Sequence, residues 1–423
     1  MPPFSAPRAF RLNTPPLFAI ATVCLLPGSA RGQVDVEAVL ARTSVREAIT
    51  YLDGQRSQTA NFLADIGGIV SPSGQEHERA GVIADRMRQI GLDSVRVTDS
   101  PNAIGVIPGS SGRALVFVST LDDLATVAEH QRAAAAPPRV EGARVVGPGT
   151  NTSLTSAAIL AAAEAYIRSG LRPQHDLVFA AVAQEETGLL GMKSLYDSYK
   201  DRADAFIDVL GDGRSISYGA LGIHWWRVIA DGPPGHTLNG GLPNVNQAIA
   251  RSVDRILSLP AASSTDVTRT RLNVAMLQSG AVFNHKPDSA WFSLDIRSME
   301  ADVIDTIERD IRSILAEVSA ETSIALRMEP FQLTPGGRIP GALESHLVQT
   351  AQAISRHLGY EPQMSESGSS NLNIAIGAGT PAIGLGGSRG GDRALATEWA
   401  DIGGMMRTAH HVLLLAAMLG GTH

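Results

Sequence analysis

Apolar positions along the chain fall into two rhythms, one resuming after the other interrupts it. Helical spacing over residues 44–66 and 76–90 leads into a near-continuous apolar run at 114–119. A helical pattern from about 155 to 169 follows, and then a second run, 176–183. Such runs predict strands covered on both faces, and strands alternating with helices predict an α/β fold with a largely parallel or mixed sheet flanked by helices.

The second rhythm starts near Gly222. It predicts a strand at 224–230, a helix at 244–257, strands around 272–278 and 290–296, a helix at 301–318 and a strand at 322–328. Strand, helix, strand, strand, helix, strand is the order of a ferredoxin-like unit, read here as an insertion. Beyond Thr334 the first rhythm resumes with a helix at 342–358, a short strand at 381–385 and a terminal helix from about Ile402. The predicted organisation is a leader at 1–32, a first core part at 33–218, the inserted lid at 219–331 and a second core part at 332–423.

The leader reading rests on Arg8 and Arg11 ahead of an apolar stretch at 16–26, then small residues up to a cleavage point after Gly32. That is the layout of a signal peptide, with an apolar stretch short for a bilayer span. It predicts a secreted or periplasmic protein with no membrane span once the leader is removed. Cys24, the one cysteine, lies inside it, so the mature chain has no disulfide or cysteine-based metal site. A formal net charge of -7 and the absence of any Lys/Arg run speak against a nucleic-acid partner.

The chemistry concentrates at Gln184-Glu185-Glu186-Thr187-Gly188, directly after the second buried strand. Ligand sites of open α/β sheets lie at the carboxyl ends of strands, and adjacent carboxylates there can divide duties, one holding a cation while the other takes a proton from water.

Seven strings in order, spread over the mature chain, carry a resemblance. They are Ser71-Pro72-Ser73-Gly74-Gln75-Glu76, Gly147-Pro148-Gly149, the Glu185-Glu186 string, Gly235-His236, Asp295-Ile296-Arg297-Ser298, Ser367-Gly368-Ser369 and Glu398-Trp399. With the inserted unit, the chain resembles the dinuclear zinc family of tripeptide aminopeptidase, succinyl-diaminopimelate desuccinylase, acetylornithine deacetylase and related carboxypeptidases. The resemblance implies hydrolysis of a terminal amide bond in a small substrate and homodimerisation through the lid. It also implies two zinc ions that share a bridging water and a bridging Asp.

Carried over position by position, the resemblance makes Glu185 the general base and Asp122 the carboxylate that orients a metal-binding His. His236 becomes a lid group reaching the reacting carbonyl. Asn284, Arg297 and Asn371 fall where the substrate's polar end is held. Glu186 and Asp212 fall at ligand positions, one for each metal. The remaining ligand positions carry Thr120, Thr152 and Ala394, none of which replaces an imidazole or a bridging carboxylate.

The expectation is therefore a peptidase-like protein with remnant metal ligands and no zinc, unless other residues such as His130, His175 or His224 rescue the site. It binds a small peptide or N-acyl amino acid, with amide hydrolysis metal-independent or absent. Two alternatives stay open at this stage: an active secreted metallo-exopeptidase, and a structural dimer.

Overall fold

The computed structural model describes residues 35–421, so the leader and Cys24 lie outside the described residues. An eight-stranded mixed sheet forms the core. Its strands are β1 (Asp93–Val97), β2 (Ala103–Ile107), β3 (Ala114–Thr120), β4 (Asp176–Val182), β5 (Ala203–Val209), β6 (Ser215–Ser217), β12 (Gln363–Ser365) and β13 (Ala382–Gly386). The intervening numbers, β7 to β11, belong to the lid. The core order is β1-β2-β4-β3-β5-β13-β6-β12. Parallel pairing runs through its centre, β4-β3-β5-β13, while β1, β2 and the β13-β6 pair are antiparallel.

All seven residues of β3 are buried, as are Leu177 to Val182 of β4, which accounts for their unbroken apolar character. On one face the helix Thr150–Arg168 is the hub, packing against Ile402–Leu419, Thr43–Gly54 and Arg56–Gly67. Its small residues from Ala157 to Ala165 let these neighbours approach closely. The C-terminal helix is apolar and long enough to cross a bilayer, but 72% of it is buried in the protein, which makes it a core helix. Asp401 caps it by accepting from the N–H groups of Gly403 and Gly404.

The inserted lid comprises β7 (Gly222–Asp231), β8 (Arg271–Asn273), β9 (Leu277–Ser279), β10 (Ser289–Ser298) and β11 (Ala325–Thr334), with helices Val245–Leu257 and Ala301–Thr322. Its order, β8-β10-β7-β11, with β9 also pairing β10, is that of the expected ferredoxin-like unit. Alternation along the strands separates the two tryptophans. Trp226 joins Val228, Phe292 and Leu294 under the helices, whereas Trp225 stands on the other face near Phe331.

Several elements differ from the sequence reading. The stretch at 44–66 is two helices broken at Gln55. The central helix begins at Thr150, because Gly149 at φ 88 starts it and the hydroxyl-rich turn hides its amphipathic spacing. The last lid strand is displaced to Ala325–Thr334, since Thr322 still ends the preceding helix.

Candidate functional site

Thr120 ends β3 at the carboxyl edge of the sheet, and Leu121, Asp122 and Asp123 follow, all buried. Arg79, itself buried, holds this segment: it donates to the carbonyls of Leu121 (2.7 Å) and Ile69 (2.5 Å) and pairs with Asp123 at 2.6 Å. Thus fixed, Asp122 faces the turn after β4. Its Oδ1 accepts the Glu185 N–H at 2.9 Å, and its Oδ2 accepts the Glu186 N–H at 3.0 Å and the Ser73 hydroxyl at 2.6 Å. Glu76 Oε1 accepts the N–H groups of Gln184 (3.0 Å) and Gly74 (2.8 Å). Gln184 and Leu189 both have positive φ, so the two glutamates sit on a tight turn held by outside carboxylates.

Burial is the main cause that pushes the Glu185 carboxyl up to about 8, with Glu186, Asp122 and Asp208 adding to it and Arg393 opposing. Glu186 is also raised by burial, and Arg393 again opposes. The opposition has a contact behind it, since Arg393 Nη2 lies 3.3 Å from Glu186 Oε1.

Asp208, on β5, is the carboxylate of this region that the sequence reading missed. It accepts from the Ser370 hydroxyl (2.5 Å), the Leu372 N–H (3.2 Å) and the Asn371 amide (3.5 Å). Burial raises it to about 6 despite these donors. Asp212, expected at a ligand position, is placed elsewhere. Its carboxylate accepts from Arg214 (3.2 Å), Tyr360 (3.2 Å) and Arg407 (3.1 Å). The chain turns at Gly211 after β5 and tucks Asp212 toward the helix Ile402–Leu419. The Gly-Asp-Gly string was the stronger sequence signal, but the strand itself carries the carboxylate that interacts with Glu185.

Thr120 receives a 3.1 Å hydrogen bond from the Asn371 amide, so Asn371, fully buried, is turned inward to Thr120 and Asp208 and is not open to a substrate. Thr152 is buried in the first turns of the central helix, where it is among the groups that oppose the burial raising the Asp123 carboxyl. Ala394 adopts φ 68, and its N–H donates to Glu398 Oε2 at 3.1 Å. The other Glu398 oxygen accepts the N–H groups of Gly149 (3.0 Å) and Asn151 (2.9 Å) at the start of the central helix. Glu398 thereby ties the 389–398 loop to that helix. Gly149 is required here on two counts, its left-handed backbone and the Gly67 carbonyl that a Cβ would strike.

The lid residues gather among themselves. His236 packs edge-on against His285, meets the Asn284 amide at 3.2 Å and accepts the Leu238 N–H. Arg297 is engaged by Asp295 of its own strand through contacts of 2.9 and 3.1 Å. None of these has a hydrogen bond or ion pair to Asp122, Glu185 or Glu186 among the described residues. The candidate rescue histidines are not brought to the glutamates either. His224 pairs with Glu308 at 2.6 Å in the lid, His175 meets the Ser111 hydroxyl, and His130 lies on the helix Ala125–Ala133. Among the described residues, no group of three or more His, Cys, Asp or Glu side chains could hold a metal ion.

Two arginines were also missed, Arg389 and Arg393. Arg389 interacts electrostatically with Glu185, Glu398 and Asp208. Burial first, and Arg393 second, bring its guanidinium down to about 10. The signal was present as Arg389-Gly390-Gly391-Asp392-Arg393, two cations immediately ahead of the position where a histidine is expected.

Comparison with known proteins follows the same outline. A succinyl-diaminopimelate desuccinylase of Corynebacterium glutamicum is 25% identical over 327 residues, 75% of this chain and 85% of that protein. The aminopeptidase PepT of Bacillus cereus has a similar structure, with TM-score 0.71 and 17% identity, over 86% of this chain and 98% of that one. A dinuclear metal binding peptidase of Bacillus subtilis superposes with TM-score 0.63 and 13% identity, over 87% and 99% of the two chains. Residues 123–417 match the family described as Peptidase family M20/M25/M40, and the chain belongs to that family.

Proposed function

We propose that this protein binds a short peptide or an N-acylated amino acid at the carboxyl edge of the core sheet, and that what it does there does not depend on zinc. Family members commonly bind peptide substrates, dimerise and use zinc. The observation that carries the departure from them is the ion pair between Arg393 and Glu186. A dication at Glu186 would have to share that carboxylate with a guanidinium, and zinc needs three or four N, S or O ligands. Thr120, Thr152 and Ala394 supply none of the missing ones, and the Thr120 hydroxyl is already hydrogen-bonded to Asn371. The donor chemistry supports a site that does not fit a dinuclear zinc centre, so amide hydrolysis is metal-independent or absent.

The lid, with His236 and Asn284, belongs to this reading as the second wall of the ligand site and the dimer contact. The N-terminal pattern supports export to an extracytoplasmic compartment. The test is calorimetric titration of the purified protein with dipeptides and N-acetyl amino acids, with and without EDTA. Binding that EDTA leaves unchanged is expected, and binding or hydrolysis abolished by EDTA would refute the reading. That second outcome is what an active metallo-exopeptidase would give, a reading favoured by the likeness to the desuccinylase over most of both chains.

A further inference from the structure

We propose that Arg389 is the anion-binding group of this site and that it takes the free carboxylate of the ligand, so that acids are bound in preference to their amides. The inference deepens the ligand reading above and rests on it. The arginines in or near the strings that carry the resemblance differ in what already occupies them. Arg297 is held by Asp295 through both Nε and Nη2, Arg393 by Glu186, and Arg407 by Asp212 and Asp401. Arg389 has no hydrogen bond or ion pair to any side chain among the described residues, although it is half-buried.

A guanidinium drawn partly out of water whose fork meets no side-chain acceptor is free to take a ligand, and a charge-assisted bond made there is stronger than one made in bulk water. The carboxylates around it do not complete it. Glu398 is filled by three backbone N–H groups, and Asp208 by Ser370, Leu372 and Asn371. Glu186 has its own arginine, and Glu185, the carboxylate that interacts most with Arg389, makes no ion pair with it among the described residues. What remains open to the guanidinium fork is an external acceptor, and the planar group that meets such a fork with two parallel bonds is a carboxylate.

Position agrees with that assignment. The backbone around Arg389 is anchored on both sides: its carbonyl accepts the Asp401 N–H at 2.9 Å, and the chain after it pairs as a short strand, Gly390–Gly391, with Trp399 and Ala400. The side chain is thus carried on a fixed base, and its electrostatic interactions with Glu185 and Asp208 put it beside the carboxyl edge of the sheet. The predicted ligand class is an N-acyl amino acid or a peptide presenting its C-terminal carboxylate to the core, while Arg297 of the lid stays with Asp295.

The test is calorimetry on the purified wild type, Arg389→Ala and Arg297→Ala, each titrated with N-acetyl amino acids, dipeptides and the matching C-terminal amides. Far-ultraviolet circular dichroism and melting temperature check that the variants are folded. The wild type should bind the acids at least tenfold tighter than the amides. Arg389→Ala should bring that ratio to about one, with Arg389→Lys restoring part of it and Arg297→Ala leaving it in place. Equal binding of acids and amides by the wild type would overturn the proposal and leave the ligand reading intact. A preference that survives in folded Arg389→Ala would also overturn it. Failure of the wild type to bind either form would overturn both. Should Arg389→Ala not fold, Arg389→Gln and Arg389→Lys carry the same comparison.

Discussion

Asp122 and Glu185 are joined through the backbone: the aspartate's Oδ1 accepts the glutamate's N–H at 2.9 Å, and its second oxygen takes the next N–H, that of Glu186, at 3.0 Å. A carboxylate expected to orient a metal-binding histidine instead holds the turn that carries both glutamates. Asp122→Ala should leave those two donors without their acceptor and lower stability by about 2–4 kcal/mol. Asp122→Asn keeps one acceptor and should cost roughly half as much. Urea denaturation of the three proteins checks this, and an Ala variant as stable as wild type would contradict it.

Arg79 and Asp123 form a buried pair 2.6 Å apart, with side chains 1% and 0% exposed. Removing only the cation strands a buried carboxylate that burial already pushes upward, so Arg79→Met should destabilise by about 3–5 kcal/mol. Replacing both partners, as Arg79→Met with Asp123→Asn, should recover part of that loss. A double-mutant cycle in urea measures the coupling, and strictly additive single effects would show that the pair does not act as one.

His411 gives the fold a dependence on acidity. It is fully buried against the Asp212 carbonyl, and burial pushes its imidazole down to about 4 from an ordinary 6.5. In the unfolded chain it takes up a proton near 6.5, while the folded protein resists until about 4, so the unfolded state binds more protons in between. Stability should fall as pH drops through that window, by an amount on the order of 3 kcal/mol. His411→Gln should lose stability less steeply between pH 7 and 4.5 than wild type does. Parallel slopes for the two proteins would contradict the assignment.

How much of this was legible in the sequence follows from which signals are local. The buried strands β3 and β4 show as apolar runs, and the lid's order of elements shows as a change of rhythm. The edge strand β1 and its neighbour β2 do not, because Asp93–Val97 is mostly exposed and mixed in polarity and Ala103–Ile107 is short. At the site, the positions of Thr120, Thr152 and Ala394 could be read by comparison with family strings. Partner choice could not be, since a carboxylate's role depends on which distant donors reach it. Asp208 meets Ser370 and Leu372 from more than 160 positions away, and Asp212 meets Arg407 from 195. Arg389 and Arg393 stand in the sequence without a local mark of their role, because Glu185, Glu186 and Asp208, the carboxylates beside them, lie far away along the chain.

The claim at the centre of this account is that arginines, and not zinc, are the cations beside Glu185, Glu186 and Asp208. Elemental mass spectrometry of the purified protein, after dialysis against trace zinc, tests it most directly. Wild type should hold metal far below one equivalent per chain. One or two zinc ions per chain would contradict it, and would mean that ligands beyond Glu186 and Asp212 complete a metal centre displacing the Arg393–Glu186 pair.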